Sequence, residues 1–444
     1  MRTMKDSGIE WIGTIPTEWT VGKTLYGLSM PITDGPHETP VLFDEGIPFV
    51  SAEAISSSNG HIDFEHIRGF VSEEYYKECC KKYIPKLHDI YMIKSGATTG
   101  RVALVETDRL FTIWSPLAVF RCDESKCHYR FLFYFLQSDA YQKQVENMWS
   151  FGTQQNIGMR TLEKNVICFP SLNEQQRIAD YLDEKNHEID ELITKKEKTN
   201  ELLKERRQSI IYEAVTKGLN PDAPMKDSGI EWIGQIPVNW SVYRLKYLLS
   251  HVKESIKAGP FGSSLTSTDM QGNDVKVFNQ RSVLDNDFEA GDEYVSVEKS
   301  LELKGFIAKQ GDVLITTRGT IGKTAIVPHG KQGILHPCLI KMVIDDNVFL
   351  KTLLCRIFNE TNMLTEQLRL ASNATTIDVI YTQNLLNLYV PVPPIEEQEA
   401  IEKYLCKECG ELDELISLNE SSIQKLKEYR QSLIYEAVTG KIEV

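Results

Sequence analysis

The sequence predicts an α+β fold, in which two mixed α/β domains in a pseudo-twofold arrangement are separated by two long helices that form an antiparallel coiled coil. Three observations lead to this prediction: a sequence frame that occurs twice, apolar residues at seven-residue spacing in both copies, and strand-like segments between the framing pieces. A chain of 444 residues, of which 41% are hydrophobic, has enough apolar material for more than one folded core.

The two halves of the chain begin with the same residues. Residues 4–13 return without change as residues 225–234, and the isoleucine, proline and tryptophan that follow them also recur at an offset of 221. We call residues 4–19 and 225–240 the opening motif. Solenoid repeats are 20–50 residues long, so a period this large indicates duplicated domains instead.

A second framing piece recurs at an offset of 223. Residues 207–216 match residues 430–439 at all but one position, and we call this stretch the helix-end motif. The regions between the framing pieces barely match each other. This pattern suggests two modules that do one kind of job on two different targets.

Each half is predicted to contain one long helix with a narrow apolar stripe. The stripe keeps a seven-residue spacing in both copies and is interrupted once in each, at Lys196 and at Asn419. Its apolar members are Leu182, Ile189, Leu203 and Ile210 in the first copy and Leu405, Leu412, Leu426 and Leu433 in the second. Such heptads are typical of coiled coils, and we place their second apolar position at Leu192 and Leu415, with Ile193 widening the first stripe. The alternative is that each helix packs only on its own domain.

These patterns divide the chain into five segments. Residues 1–170 and 225–393 are the predicted α/β domains, 171–218 and 394–444 contain the two helices, and 219–224 form a linker. Within the domains we predict strands at 47–50, 89–93, 101–105, 275–278, 312–315 and 323–327, and helices at 129–148 and 349–367. A globular region lies between the long helices, so antiparallel pairing is the simplest arrangement.

Composition limits the functional classes. The net charge is −14, which taken alone disfavours a nucleic-acid-binding protein. No run of about 18 apolar residues or signal-like start is visible, and nine scattered cysteines suggest reduced thiols, so we expect a cytoplasmic protein.

The sequence contains no recognisable catalytic constellation and no metal site. Residues 319–324 resemble a phosphate-binding loop, but the required first glycine is replaced by Thr317. The pairs Cys406/Cys409 and Cys122/Cys127 lack the second pair that a structural zinc site needs. A nuclease or NTPase with an unrecognised site remains a rival class, although the missing motifs disfavour it.

The variable regions instead contain turns rich in hydrogen-bond donors. Glycine-rich turns let backbone amides approach phosphates, and Arg, Gln and Asn can pair with base edges. The candidates in the first half are Asp34, Gly35, His37, Lys94, Ser95, Arg101, Gln154, Gln155 and Asn156. Those in the second half are Gly259, Phe261, Ser263, Ser264, Asn279, Gln280, Arg281, Arg318, Thr320, Lys323, Asn373 and Thr375. Their recurrence at matching places in both copies favours DNA binding.

The ordered double set of motifs resembles the specificity subunit of type I restriction–modification enzymes. The resemblance rests on the opening motif, on turns of the type found at 312–322, and on Pro-x-x-Glu-Gln followed by a helix that ends in the helix-end motif. It covers essentially the whole chain, in the same order in both halves.

The resemblance implies two target recognition domains, each reading one half of a bipartite DNA sequence, with the coiled coil as a ruler between them. It implies a non-catalytic subunit that docks two methyltransferase subunits and two restriction/translocase subunits. S-adenosylmethionine, ATP and Mg²⁺ would belong to those partners, and this chain would bind no cofactor. The alternative function is a non-DNA-binding adaptor that assembles partners through its coiled coil.

The charge distribution refines this expectation. Residues 173–218 carry 11 acidic and 9 basic side chains, and residues 395–440 carry 11 and 5, so these two segments hold eight of the 14 net negative charges. The rest of the chain is still not basic. We therefore expect the isolated chain to bind DNA weakly, with partner subunits neutralising many phosphates.

Overall fold

The computed structural model describes residues 2–148, 156–261, 264–371 and 379–444. The chain forms two compact units. Unit 1 comprises Met1–Glu197 and Glu420–Val444, and unit 2 comprises Lys198–Asn419. Each unit thus contains one α/β domain and one segment of each long helix, a division that cuts both helices instead of following the segment boundaries predicted above.

Two helices are much longer than the others, as the sequence predicts. The helices are α1 Ala52–Ser56, α2 Glu73–Cys80, α3 Tyr129–Gln137, α4 Asp139–Asn147, α5 Met159–Lys164, α6 Leu172–Lys217, α7 Gln280–Leu284, α8 Val297–Glu302, α9 Lys351–Glu360, α10 Met363–Ala371, α11 Thr382–Leu386 and α12 Ile395–Val438. The long helices α6 and α12 have 46 and 44 residues.

Unit 1 contains a mixed set of small sheets. Its strands are β1 Met4–Asp6, β2 Thr14–Pro16, β3 Thr20–Lys23, β4 Thr33–Asp34, β5 Ile47–Val50, β6 Phe70–Val71, β7 Ile90–Ile93, β8 Val102–Leu104, β9 Thr112–Ile113, β10 Leu117–Phe120 and β11 Val166–Phe169. An antiparallel sheet has the order β4-β10-β7-β8, and a second sheet has the order β6-β5-β9 with β5 and β9 parallel. The pairs β1-β2 and β11-β3 complete the unit.

Unit 2 repeats this topology with one additional strand. Its strands are β12 Met225–Asp227, β13 Gln235–Pro237, β14 Ser241–Arg244, β15 Ile256–Ala258, β16 Val275–Phe278, β17 Tyr294–Val295, β18 Ile307–Lys309, β19 Val313–Thr316, β20 Thr324–Ile326, β21 Gln332–Leu335, β22 Leu339–Met342 and β23 Tyr389–Val392. The sheets have the orders β15-β22-β19-β20 and β17-β16-β21-β18, and β18 is the addition. The α+β fold with two repeated domains is confirmed.

The central strands β7 and β19 are buried along their whole length. Successive side chains of a strand point to opposite faces. Ile90 and Met92 therefore join the core cluster that contains α3, whereas Tyr91 and Ile93 join a second cluster on the other face. Burial on both faces explains why these strands are continuous apolar runs in the sequence.

The two framing motifs pack against each other within each unit. In unit 1 the end of α12, including Ile434 and Val438, shares a core cluster with Ile12 and Trp19 of the opening motif. In unit 2 the end of α6 packs in the same way against Ile233 and Trp240. The opening and helix-end motifs recur together because they form one packing interface.

The long helices pair antiparallel, as predicted. In unit 1, Asp190 pairs with Arg430, and Ile193 packs with Ile423. In unit 2, the Nδ2 atom of Asn419 donates to Oδ1 of Asn200 at 3.0 Å, and Arg207 Nε lies 2.8 Å from Asp413 Oδ1. Within each unit, the pair with the higher residue number in α6 has the lower residue number in α12. The two helices therefore run antiparallel.

The second apolar position of the heptads was predicted wrongly. Leu192 is 47% exposed and Leu415 is 49% exposed, whereas Ile193 and Ile416 are buried. The second buried position of each heptad therefore lies four residues after the first, at Ile193 and Ile416, and not three residues after it. In a helix of 3.6 residues per turn, both spacings lie close to the same face, so only the packing decides between them.

Candidate nucleic-acid interface

A turn after each central strand presents several of the predicted residues. In unit 1 the amide of Gly100 donates to the carbonyl of Ile93 at 2.8 Å, and in unit 2 Gly322 donates to Thr316 at 2.9 Å. The two turns are also tied to a following segment: Ile157 donates to the carbonyl of Lys94, and Ile380 to that of Thr317. The turns have the same anchors although the first is one residue longer.

Gly35 and Gly259 occupy equivalent positions of close backbone approach. A Cβ atom on Gly35 would collide with the carbonyl oxygen of Ile113, and one on Gly259 would collide with that of His336. The glycine in each Gly-Pro turn is thus required by the fold itself. Its predicted role in approaching a phosphate remains a prediction.

Asp34 holds a cluster of basic side chains in unit 1. Its carboxylate is completely buried and forms an ion pair with Lys82, lies 3.3 Å from Lys94 Nζ, and lies 3.1 Å from His37 Nε2. Lys82 also donates to the carbonyl oxygen of Gly35 at 3.0 Å. Asp34 therefore faces inward and lies beside three basic residues, of which Lys82 and His37 reach solvent and Lys94 is mostly buried.

The remaining described candidates of unit 1 lie on the turn after β7 or beside it. Ser95 forms an isolated antiparallel bridge with Asn156, which links the turn to the segment before α5. Arg101 is exposed, and its Nη1 donates to the carbonyl of Ser56 at 2.6 Å. These contacts bring Ser95, Arg101 and Asn156 to one turn.

In unit 2, Gln280 connects two of the predicted segments. Its Nε2 donates to the carbonyl oxygen of Arg318 at 3.0 Å, so the start of α7 supports the turn after β19. Asn279 caps α7 by accepting from the amide of Ser282, and its Nδ2 donates to Glu293 at 2.8 Å. These contacts give Asn279 a structural function, while Arg281 is exposed.

Arg318, Thr320 and Phe261 are exposed side chains on this part of unit 2. Arg318 and Phe261 border a small cavity of about 80 Å³, together with Pro337 and Tyr381. Ser264 is exposed next to Phe261, whereas Lys323 is held by the carbonyl of Asn359 at 2.8 Å. The structure therefore brings Phe261 of one predicted segment and Thr317 and Arg318 of another together around one cavity.

A histidine and a cysteine lie behind this cavity without forming a reactive pair. His336 Nδ1 lies 2.9 Å from Cys338 Sγ. Burial raises the pKa of the Cys338 thiol to about 11, and burial lowers the pKa of His336. At neutral pH both side chains are uncharged, so the pair provides neither a thiolate nucleophile nor a cation for phosphate.

Five predicted residues, namely Gln154, Gln155, Ser263, Asn373 and Thr375, lie outside the described residues. Two further residues, which the sequence patterns missed, lie beside the predicted ones. Lys82 joins the Asp34 cluster from the end of α2, and Tyr381, 59% exposed, borders the cavity beside Arg318. Neither lies in a glycine-rich turn, which is why the turn pattern missed them.

The described residues contain neither a candidate metal cluster nor a helix suited to a membrane. Within the described ranges, no group of three or more His, Cys, Asp or Glu side chains could hold a metal ion. No helix in the described part of the chain is long and apolar enough to cross a membrane.

Comparison with known proteins assigns the chain to a family. A family model described as the type I restriction modification DNA specificity domain matches residues 38–204 and 237–428. The putative type I restriction enzyme MjaX specificity subunit of Methanocaldococcus jannaschii is 26% identical over 450 residues, which cover 98% of this chain and 96% of that protein. The EcoBI specificity subunit of Escherichia coli is 22% identical over 324 residues, covering 72% and 67%.

Two solved structures share the fold at 18% sequence identity. The first is a chain from a structural study of complex assembly and conformational transition in the type I R-M system. It matches with a TM-score of 0.68 over 96% of this chain and 99% of that chain. The HsdS subunit from Thermoanaerobacter tengcongensis matches with a TM-score of 0.53, covering 96% and 98%. Because the family model matches well over half of its residues, the chain belongs to the family of type I restriction–modification DNA specificity subunits.

Proposed function

We propose that this chain reads a bipartite DNA target, with one α/β domain for each half-site, and assembles methyltransferase and restriction subunits around it. The observation that carries the proposal is that both domains share one strand order and one set of turn anchors while the exposed residues on those turns differ. A shared scaffold with different surface side chains suits two readers of different sequences.

The chemistry of the two interfaces fits complementary roles. Lys82 in unit 1 supplies positive charge for phosphates, and the His37 ring beside it can hydrogen-bond to them; such contacts position a protein on DNA without reading its sequence. Arg318 and Tyr381 in unit 2 can hydrogen-bond to base edges or phosphates. The exposed side chains on these turns differ between the units, so the two half-sites are expected to differ.

The coiled coil is the proposed ruler for the DNA between the half-sites. The 46 residues of α6 give about 69 Å of continuous helix. Each added base pair moves one half-site by about 3.4 Å and rotates it by about 36°. Binding should therefore depend on the length of the unread spacer and tolerate changes in its sequence.

The chain itself is proposed to be non-catalytic and to carry no cofactor. Two methyltransferase subunits and two restriction/translocase subunits would supply S-adenosylmethionine, ATP and Mg²⁺ chemistry. The chain has a net charge of −14, so DNA binding is expected to need the assembled complex.

Exchange of one domain tests the proposal. Residues 24–169 are replaced by the corresponding segment of another member of the family, and the methylated sites are mapped in cells that carry the partner subunits. The expected result is that one half of the recognised sequence changes while the other half and the spacer length stay the same. The matched control exchanges residues 245–392 and should change only the other half. A change in both halves, or in neither, would contradict the assignment of one domain to each half-site.

A further inference from the structure

One exposed arginine of unit 1, which lies outside the predicted turns, is held in a fixed orientation. Nε of Arg68 lies 2.8 Å from Oε1 of Glu53, and Nη2 lies 2.7 Å from the same oxygen. The central carbon of the guanidinium lies 4.4 Å from the centre of the Trp114 ring. A carboxylate on one edge and an aromatic ring on one face together fix the plane of the guanidinium.

The two groups that hold Arg68 are themselves positioned by neighbouring side chains. Glu53 accepts a hydrogen bond from the hydroxyl of Ser51. Burial opposes the ionisation of Glu53, but hydrogen bonds from Arg68 and Ser51 lower its pKa, so this side chain is a carboxylate at neutral pH. The Trp114 ring packs against the buried Phe49, with the ring centres 6.2 Å apart. The orientation of Arg68 is therefore supported by the body of the domain.

Arg68 lies close to the Gly-Pro turn of unit 1. Trp114 directly follows β9, and its carbonyl carbon would lie only 2.7 Å from a Cβ atom on Gly35. The amide of the next residue, Ser115, donates to the carbonyl of Pro36 at 3.1 Å. The contact with the Trp114 ring therefore places the guanidinium beside a turn that is a candidate for DNA contact.

The corresponding place in unit 2 also has an arginine. Strands β5 and β16 each pair in parallel with a partner strand, and each is followed, after one residue, by a short helix. The second residue of that helix is Glu53 in α1 and the exposed Arg281 in α7, which is one of the candidates for DNA contact. Unit 2 thus has an arginine where unit 1 has a glutamate that binds Arg68.

Stability alone does not explain the arrangement around Arg68. The side chains of Arg68 and Glu53 are 41% and 48% exposed, and ion pairs between exposed side chains contribute little to folding. Glu53 occupies the Nε edge of the guanidinium, and no acceptor among the described residues contacts Nη1. Nη1 and the outer hydrogen of Nη2 form the end of the guanidinium, which is left to bind a ligand.

We propose that Arg68 is a specificity-determining residue that reads one guanine in the half-site recognised by unit 1. Two parallel N–H groups on a fixed plane match O6 and N7 of guanine, which are neighbouring acceptors in the major groove. A phosphate at the same place is disfavoured, because the nearby Glu53 carboxylate would repel it. The assignment rests on the proposed function, which supplies DNA as the ligand of unit 1.

Substitution of Arg68 by lysine tests the assignment, because lysine keeps the charge but lacks the planar pair of donors. The full chain, in complex with the methyltransferase subunits of its system, is bound to duplexes that carry each of the four bases at every position of the target. The domain exchange described above identifies the half-site of unit 1. We expect Arg68→Lys to lower the preference for guanine at one position of that half-site by at least about tenfold, and to leave the other half-site unchanged.

Two further variants separate orientation from charge. Glu53→Gln removes the charge that orients Arg68 and should lower the preference for guanine at the same position by a smaller factor. Arg109→Lys is the matched control, because Arg109 is also exposed and also lies over an aromatic ring, 5.1 Å from the centre of Phe64. Arg109 precedes β9 whereas Trp114 follows it, so this variant should leave all base preferences unchanged.

The base preferences also identify the results that would overturn the assignment. Equal weakening of Arg68→Lys on all duplexes, whether partial or complete, would indicate a phosphate contact or a structural role. Unchanged binding by Arg68→Lys, a changed preference in the half-site of unit 2, or the same effect in the Arg109→Lys control would overturn the assignment as well. These results leave the proposed function intact. Absence of a bipartite target for the unchanged chain would overturn the proposed function itself.

Discussion

Asp34 illustrates what the sequence could and could not predict about single residues. The turn at 34–37 was predicted as part of a DNA interface, and the structure shows that His37 and Lys82 both lie beside the carboxylate of Asp34. The inward direction of the Asp34 carboxylate could not be predicted, because its partners Lys82 and Lys94 are distant in the chain. Buried ion pairs of this kind depend on tertiary contacts, which the residue types in a turn do not specify.

Replacement of Asp34 is predicted to destabilise unit 1. Asp34→Asn leaves Lys82 and Lys94 without their buried counter-charge, and breaking a buried ion pair costs about 3 kcal/mol. The free energy of unfolding can be measured by urea titration. The control Asp44→Asn alters an exposed carboxylate and should change the stability by at most about 0.5 kcal/mol. Equal stability of the two variants would show that the buried cluster has no structural importance.

His336 is predicted to make unit 2 less stable in mild acid. Burial lowers the pKa of His336 in the folded state, so between that value and the ordinary value near 6.5 the unfolded chain binds more protons. The stability contribution is therefore complete above about pH 6.5 and is lost as the pH falls below it. His336→Gln should flatten the decrease in melting temperature between pH 7 and pH 5, whereas the exposed His251→Gln serves as the control. An unchanged slope in His336→Gln would contradict this origin.

Among the secondary-structure elements, the positions of the two long helices could be predicted from the sequence, whereas the strand pairing inside the α/β domains could not. The long helices and their antiparallel pairing follow from heptad spacing in α6 and α12. Leu192 was wrongly placed at the second apolar position, whereas Ile193, which widens the predicted stripe, is buried; both lie close to the seam, and only side-chain packing separates them. The parallel pairing of β5 with β9 joins short strands far apart in the sequence, which local patterns do not reveal.

A pair of asparagines lies near the interruption in the heptads, and the two side chains are predicted to be energetically coupled. Asn200 is buried and its Oδ1 accepts from Nδ2 of Asn419, so either single Asn→Leu change removes this hydrogen bond, places a leucine against the remaining amide and costs about 1–3 kcal/mol. The double variant Asn200→Leu/Asn419→Leu removes both amides and should recover at least the original stability. A double-mutant cycle of unfolding free energies measures this coupling. Additive losses in the double variant would show that the two amides act independently.

For the whole molecule, charge was the observation that needed most revision. A net charge of −14 initially argued against a DNA-binding protein, but two helical segments hold eight of those charges. The described candidate residues include Lys82, His37 and Arg318, which give each unit basic groups at its turns. Because few basic side chains lie on these turns, strong binding to DNA is expected to need the partner subunits.

The most direct test of the central claim is a map of methylated adenines in cells that contain this chain and its partner subunits. We expect one bipartite motif, with two different half-sites separated by a spacer of fixed length and free sequence. The motif should disappear when only the gene for this chain is deleted. A continuous motif, a spacer of variable length, or methylation that persists without the chain would contradict the account.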